Sequence, residues 1–398
     1  MSATRNTASL STERIEVAHF FGEGDGATAI EHVFDEFESE YPGVDVVPAG
    51  YTNTSSYGLE IKSRILRQDP PSVFMTWTGQ DLVPYVESDA TADLTDLWDR
   101  EGLSRSFVEG VADLVRVDGR YVAVPLDIHR KNNLFYNVAL AEDLGVDPAR
   151  IGGPRELLEV LSQCEGEGPI GLTQPMKNPW TVLQLWAQIL VGLYDTEVYE
   201  AVSRGEGRTH RSEIAESVAL LAEYAALADE DAHFLGMGGA DQRFRDGEAV
   251  FFQQGDWVGA GYEEQAGFDY GTDWGHVPFP GTDGVYVMGM DAITAARDAP
   301  QPEAAEAFVS VAASRSALEG LNRYKGSIPP RDDVSLDAYP PFLQDQYDDF
   351  TSARVHTGGQ KALVAPGKSV DTRDAFVSFV AARDVQRTTD DLVECYGD

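Results

Sequence analysis

Three groups of residues in this 398-residue chain have types and spacings that could do chemistry. The first is Ala362-Leu-Val-Ala-Pro366-Gly367-Lys368-Ser369, a relaxed P-loop pattern with alanine where the first glycine belongs. A working P-loop cradles phosphates with backbone amides between a core strand and a helix. Pro366 removes one of those amides, which argues against a nucleotide site. The second is Gly22-Glu23-Gly24-Asp25-Gly26, spaced like a dinucleotide loop. Two acids inside such a loop repel a pyrophosphate. They suit hydroxyl groups, because a carboxylate accepts charge-assisted O–H hydrogen bonds. The third group is dispersed. Trp77, Trp180 and Trp257 stand at predicted element ends near glycine or proline. Asp291 interrupts the apolar stretch 285–293, and a buried aspartate is costly without a partner. Lys325 is one of only six lysines. Aromatic faces for C–H surfaces, with carboxylates and a lysine for hydroxyls, make a polyol-binding set. Taken singly, each tryptophan is more often core than ligand platform, and Lys325 serves equally well as a solvated helix-end lysine.

Other catalytic patterns are missing from the sequence. No HExxH, GxSxG or clustered His/Cys ligand set occurs. With 67 acidic residues no single carboxylate pair stands out as a glycosidase pair. No cofactor and no metal ligand set is therefore expected.

The elements that must position these residues alternate between strand and helix. Residues 15–21 form a β-branched and aromatic run, followed by the acidic glycine loop. Ile30, Val33, Phe34 and Phe37 recur at helical spacing over 27–41, and Pro42-Gly43 stops the helix. Strands at 44–47 and 72–77 flank a helix at 57–68. This order implies a parallel sheet with right-handed crossovers, whose ligands lie beyond the carboxyl ends of the strands. Residues 20–25 and 77–81 occupy such ends. Asp118-Gly119 reads as a tight turn, and 124–136 as one long crossing strand. Helices are expected at 154–164, 180–193 and 211–227, a strand at 248–253, and a helix capped by Asp256 after it. The stretch 284–295 reads as extended. Helices then dominate, at 302–313, 318–324, 341–350 and 373–392. No repeat or flexible linker separates two domains, so the chain is expected to cross between two lobes more than once.

Bulk composition limits the partners. The formal charge is −37 and the acids are spread along the whole chain. Such a surface repels nucleic-acid phosphates and anionic lipid. Acid-rich loops on a moderately acidic protein are one reading; the spread of the acids favours the other, a protein adapted to high salt, where the Debye length falls to ~3 Å at 1 M. Cys164 and Cys395 sit in no CxxC or His-rich context; two thiols and one disulfide are both open. No apolar run is long enough to span a membrane. Residues 1–14 are polar and read as a disordered spacer remnant. A protein working outside the cell would have lost its export signal ahead of this segment; otherwise it is cytoplasmic.

In order and spacing, a series of segments resembles the extracellular solute-binding proteins of family 1, the sugar receptors of ABC importers. The likeness is closest to the glucose-binding branch and covers nearly the whole chain. It rests on Phe20-Phe21 with the acidic glycine loop, Asp69-Pro-Pro-Ser-Val-Phe74 and Trp77-Thr-Gly79. It continues through Val124-Pro-Leu-Asp-Ile-His-Arg-Lys-Asn132, Gly255-Asp-Trp257, Pro280-Gly-Thr282 to Asp291, Lys325-Gly-Ser-Ile328 and Val364-Ala-Pro366. The last of these absorbs the P-loop-like stretch.

That resemblance implies an α/β, two-lobed periplasmic-binding-protein-like (type II) fold with crossing hinge strands. One lobe would comprise 15–126 plus 285–332, and a more helical one 127–284 plus 333–398. Phe21, Asp25, Trp77, His129, Trp257, Asp291, Lys325 and Lys361 would face the cleft, and Trp180 joins them from its place at an element end. Asp25, Asp291 and Lys325 would bond hydroxyls, and Trp257 would stack. The sequence departs from the glucose binders in four places. Histidines stand there at the positions of Trp77 and Lys361, a tryptophan pair at Phe20 and Phe21, and a further tryptophan at Met237. The solute is therefore expected to be glucose, another hexose or a disaccharide.

The implied role is a monomeric, non-enzymatic receptor at the cell surface, lipid-anchored in the full-length protein. It would capture a small sugar and hand it to ABC permease subunits. A solute-sensing module for a signalling receptor would share almost all of this sequence. A glycoside hydrolase would need two isolated acids facing one bond. A polyamine site would suit the acids but not the aromatic and lysine complement.

Overall fold

Ile15, Val17 and Ala18 are fully buried in the strand Glu13–His19. This β-branched run builds a sheet with short parallel neighbours on both sides. The strand pairs with Val44–Gly50 on one flank and with Val73–Trp77 on the other. Two further strands, Asp291–Ala295 and Val124–Pro125, extend the sheet in antiparallel fashion. The five-stranded order is thus 44–50, 13–19, 73–77, 291–295, 124–125. The helix Gly24–Glu40 lays its buried stripe, Ile30, Val33, Phe34 and Phe37, against the helices Pro302–Ala312 and Arg315–Lys325.

The computed structural model describes residues 13–164, 168–229, 231–263 and 265–397. The chain divides into two compact units. Unit 1 comprises residues up to His129 together with Gly289–Leu343; unit 2 comprises Arg130–Met288 and the chain from Gln344 on. The chain therefore passes between units three times, at 129/130, 288/289 and 343/344. Most of the expected remnant 1–14 lies outside the described residues, and the first strand already begins at Glu13.

Unit 2 is built on a four-stranded sheet in the order 274–278, 133–137, 249–254, 170–173. The strand Ala249–Gln254 is buried along its whole length. Beside the sheet, the helices Pro179–Arg204 and Arg211–Leu227 pack together with Pro366–Ala382 and Val385–Cys395. Trp186 is central to this helical core and donates its indole N–H to Ser217 Oγ at 2.9 Å. Among the described residues, no helix is long and apolar enough to cross a membrane.

Several elements differ from the pattern read in the sequence. The stretch 124–136 is three short strands, Val124–Pro125, His129–Arg130 and Asn133–Asn137. Pro125 cannot donate to a ladder. The Asn132 side chain takes over ladder bonding there: its Nδ2 donates to Val285 O and its Oδ1 accepts from Val287 N. The expected helix over 373–392 is two, Pro366–Ala382 and Val385–Cys395, broken where Arg383 adopts φ +50°. The acidic glycine loop is only half a loop, because Gly24 already opens the first helix. The Asp118-Gly119 turn has positive φ at both residues (+50° and +80°), which matches the twist of its flanking strands. Cys164 and Cys395 are free thiols, which closes the question of a disulfide.

Candidate functional site

Two helix ends and one strand edge assemble the polar cluster of unit 1. Asp25 lies in the first turn of Gly24–Glu40. Lys325 is the last residue of Arg315–Lys325, which Gly326 ends in the left-handed conformation at φ +72°. Each charge sits at the helix end whose dipole favours it. The two meet: Lys325 Nζ donates to Asp25 Oδ2 at 2.8 Å. The same ammonium stands 5.4 Å from the centre of the Phe21 ring, within cation–π range. Lys325 is buried. Burial opposes its charge, but the carboxylates of Asp25, Asp291 and Asp127 outweigh it and raise its pKa.

Asp291 opens its strand directly opposite Trp77 in the antiparallel register. Trp77 in turn stacks on Phe20, with ring centres 4.5 Å apart and planes 11° from parallel. The main chain of Asp291 is held on both sides. Its carbonyl accepts from Leu126 N at 2.8 Å, and its amide donates to Asp127 Oδ1 at 2.8 Å. The 126–128 segment is tied to the end of the lysine helix. Asn322 Nδ2 donates to Leu126 O at 2.8 Å, and Ile128 exchanges backbone bonds with Ile328. Asp127 is fully buried. Burial first, then the neighbouring Asp291 charge, pushes its carboxyl up to about 8. His129 Nε2 lies 3.7 Å from Asp127 Oδ2.

In unit 2 the structure brings Trp180 and Trp257 together, edge to face, with ring centres 6.2 Å apart. Both are half-buried. Trp180 is the second residue of Pro179–Arg204, and Trp257 the first of Trp257–Glu263. The turn before Trp257 is clamped by Asp256. Its Oδ2 accepts the Arg130 amide at 2.9 Å, and its own amide donates to Arg130 O at 3.0 Å. Arg130 is itself fixed by an ion pair with Asp349 and by the face of Tyr286, 5.2 Å away. Lys361 is half-buried on the separate one-turn helix Gln360–Leu363.

Comparison with known proteins gives the family of this fold. A model of the bacterial extracellular solute-binding proteins matches residues 32–347. The chain belongs to that family. It is 31% identical to the xylose/arabinose-binding protein XacG of Haloferax volcanii, over 96% of this chain and 84% of the relative. It is 23% identical to an uncharacterized ABC transporter extracellular-binding protein of Pyrococcus horikoshii, over 97% of this chain and 88% of that protein. Solved structures share the fold at low identity. A chitin oligosaccharide binding protein superposes with a TM-score of 0.84 at 16% identity, covering 97% of this chain and 98% of the other. The solute receptor AcbH, described as having an exclusive preference for β-D-galactopyranose, gives 0.85 at 14%, covering 98% of each. The solute-binding protein thus has the two-lobed α/β fold expected of it.

Three positions of this solute-binding protein matter more than the sequence suggested. Asp127 faces Asp291 across the sheet; the only signal was an acid inside the apolar run Val122–Ile128, the same signal that singled out Asp291. Phe20 supplies the stacking partner of Trp77. Gly255 leaves the space that the Trp257 ring fills. The P-loop-like stretch lies across the end of Gln360–Leu363 and the start of Pro366–Ala382, so no core strand leads into it.

Asp127, His129 and Asp291 each offer a ligand atom within 4.8 Å of the others, a donor set of the kind that holds a divalent ion. The Lys325 ammonium already acts on both carboxylates. A metal ion there would be opposed by that charge.

Proposed function

We propose that this protein is the solute receptor of an ABC importer and that its solute is a small sugar. In this reading the sugar is bound and released to membrane permease subunits without covalent chemistry. The observation that carries the proposal is the polar and aromatic cluster of unit 1, in which Lys325 and Asp25 meet at 2.8 Å beside Phe21, with Asp291 opposite Trp77. A sugar ring offers hydroxyls to such carboxylates and ammonium, and a C–H face to the aromatic rings. The Trp180–Trp257 pair of unit 2 supplies a second aromatic surface. His129 and Lys361 complete the proposed set.

The names of the relatives point the same way, to a xylose/arabinose-binding protein and to receptors of chitin oligosaccharide and galactopyranose. They widen the choice of sugar from hexoses to pentoses. A surface role, with a lipid anchor on the full-length protein and monomeric action in high salt, completes the proposal. The formal charge of −37 supports the salt requirement.

A thermal-shift screen in molar salt tests the sugar reading. The panel is D-xylose, L-arabinose, D-glucose, D-galactose, maltose and the polyamine spermidine. A bound ligand stabilises by about 2.7 kcal/mol at a hundredfold excess over Kd. A shift with one sugar and none with spermidine is expected. A shift with spermidine alone would overturn the sugar reading.

A further inference from the structure

Asp127 is fully buried, yet only one of its two carboxyl oxygens is hydrogen-bonded within the described residues. Oδ1 accepts the Asp291 amide at 2.8 Å, whereas Oδ2 accepts no hydrogen bond. His129 Nε2 stands 3.7 Å from Oδ2, beyond hydrogen-bond reach. The Asp291 carboxylate lies within 4.8 Å. The charged groups that act on this carboxyl among the described residues come from three elements. His129 comes from its own segment, Asp291 from the neighbouring strand, and Lys325 from the helix Arg315–Lys325. Asp25 acts through Lys325, whose ammonium it already binds at 2.8 Å. Three carboxylates therefore share one ammonium that is committed to one of them. Two buried carboxylates this close do not both ionise. An ionised carboxylate with a bare, buried oxygen is also the costliest state of the group.

We propose that Asp127 is the positioning residue of Asp291 and acts as a neutral carboxylic acid. It fixes the Asp291 amide through Oδ1 and keeps a proton on Oδ2, so that no second negative charge stands behind Asp291. Its bearing on the solute rests on the reading of Asp291 as a solute ligand; the neutral acid does not. Ionising Asp127 places a second negative charge behind Asp291. That charge repels Asp291 and competes for the Lys325 ammonium that the hydroxyls of a solute would use.

Asp127→Asn imitates the neutral acid. Its carbonyl oxygen can accept the Asp291 amide and its N–H can stand where the proton stood, but it does not titrate. Three measurements on the whole chain in molar salt test the proposal. The infrared spectrum of the wild type near neutral pH should show the C=O stretch of a protonated carboxylic acid, and D127N should lack it. The melting temperature without solute gives a second reading. A buried acid binds its proton more tightly folded than unfolded, so its contribution falls as pH rises from about 4 towards 8. The wild type should therefore lose stability relative to D127N across that range. Calorimetric titration with D-xylose and D-glucose gives the third. The wild type should weaken about tenfold between pH 6 and 9, the change that a one-unit coupling produces, while D127N keeps one affinity throughout.

An absent acid band, with parallel melting curves for the two proteins, would overturn the proposal. The wild-type band needs no variant, so a D127N that fails to fold leaves the proposal open to refutation. If the band is present and neither sugar binds, the neutral acid stands and the sugar reading is what fails.

Discussion

Gly255 lies against the ring of Trp257: a Cβ at position 255 would stand 2.1 Å from Cζ3 of the indole. No side chain fits that gap, so the glycine sets where the ring can sit. Gly255→Ala should displace the indole without removing it. If Trp257 stacks on the solute, the alanine variant should lose nearly as much sugar affinity as Trp257→Ala, on the order of 1–2 kcal/mol for a stacked ring. Titration calorimetry on both variants checks this. An alanine variant that binds like the wild type would remove Trp257 from the proposed site.

How much of this was legible beforehand depended on whether the signal was local. The helix Arg211–Leu227 matches its apolar period residue for residue, because periodicity and burial are local facts. Asp25 and Lys325 were legible because each breaks its context, an acid inside a glycine run and a lysine in a chain that avoids lysine. Asp127 was not, because its meaning lies in strand pairing. Read as one strand, 124–136 gives no hint that residue 127 bonds the amide of residue 291. The break at Arg383 was equally silent, because it carries φ +50° on a residue that gives no glycine signal.

The Asp25–Lys325 pair should be unequal in its two halves. Lys325 is the more buried partner, with 10% of its side chain exposed against 34% for Asp25. Asp25→Ala leaves an enclosed ammonium without its bonded carboxylate and should destabilise the protein by about 1.5–3 kcal/mol, the worth of a hydrogen bond to a charged group. Lys325→Met takes the shared counter-charge from Asp25, Asp291 and Asp127, the last two of them buried, so its cost in stability should be larger. Denaturant unfolding of both variants measures the difference. Equal losses would show that the pair behaves as an exposed ion pair.

The acid excess predicts a steep dependence on salt. With a formal charge of −37, self-repulsion opposes the folded state unless it is screened. At 1 M salt the Debye length is about 3 Å, against about 10 Å at 0.1 M. The melting temperature should climb through the molar range of KCl, and a flat titration would refute adaptation to high salt.

His19 should give the protein an acid-side dependence of opposite sign to that of Asp127. Its ring packs edge-on against Phe34, with centres 5.7 Å apart, and neither nitrogen has a hydrogen-bond partner among the described side chains and backbone groups. Burial lowers its pKa to about 4, against a weaker opposing effect from the Phe21 backbone. The unfolded chain therefore binds the proton more readily, and stability is lost as pH falls from about 6.5 to 4. The loss is on the order of 3 kcal/mol when the shift is fully expressed. His19→Phe should abolish that slope. Because Asp127 contributes a slope of the other sign from about pH 4 to 8, the two partly cancel below pH 6.5 in the wild type. The H19F variant should lose the His19 part of the acid-side slope and keep the part from the buried His276, whose pKa burial also lowers, so that the Asp127 decline shows more fully towards neutral pH. A double variant with D127N should be flat in the contribution of His19 and Asp127, and an acid-side slope in it as steep as in D127N alone would remove His19 from the account.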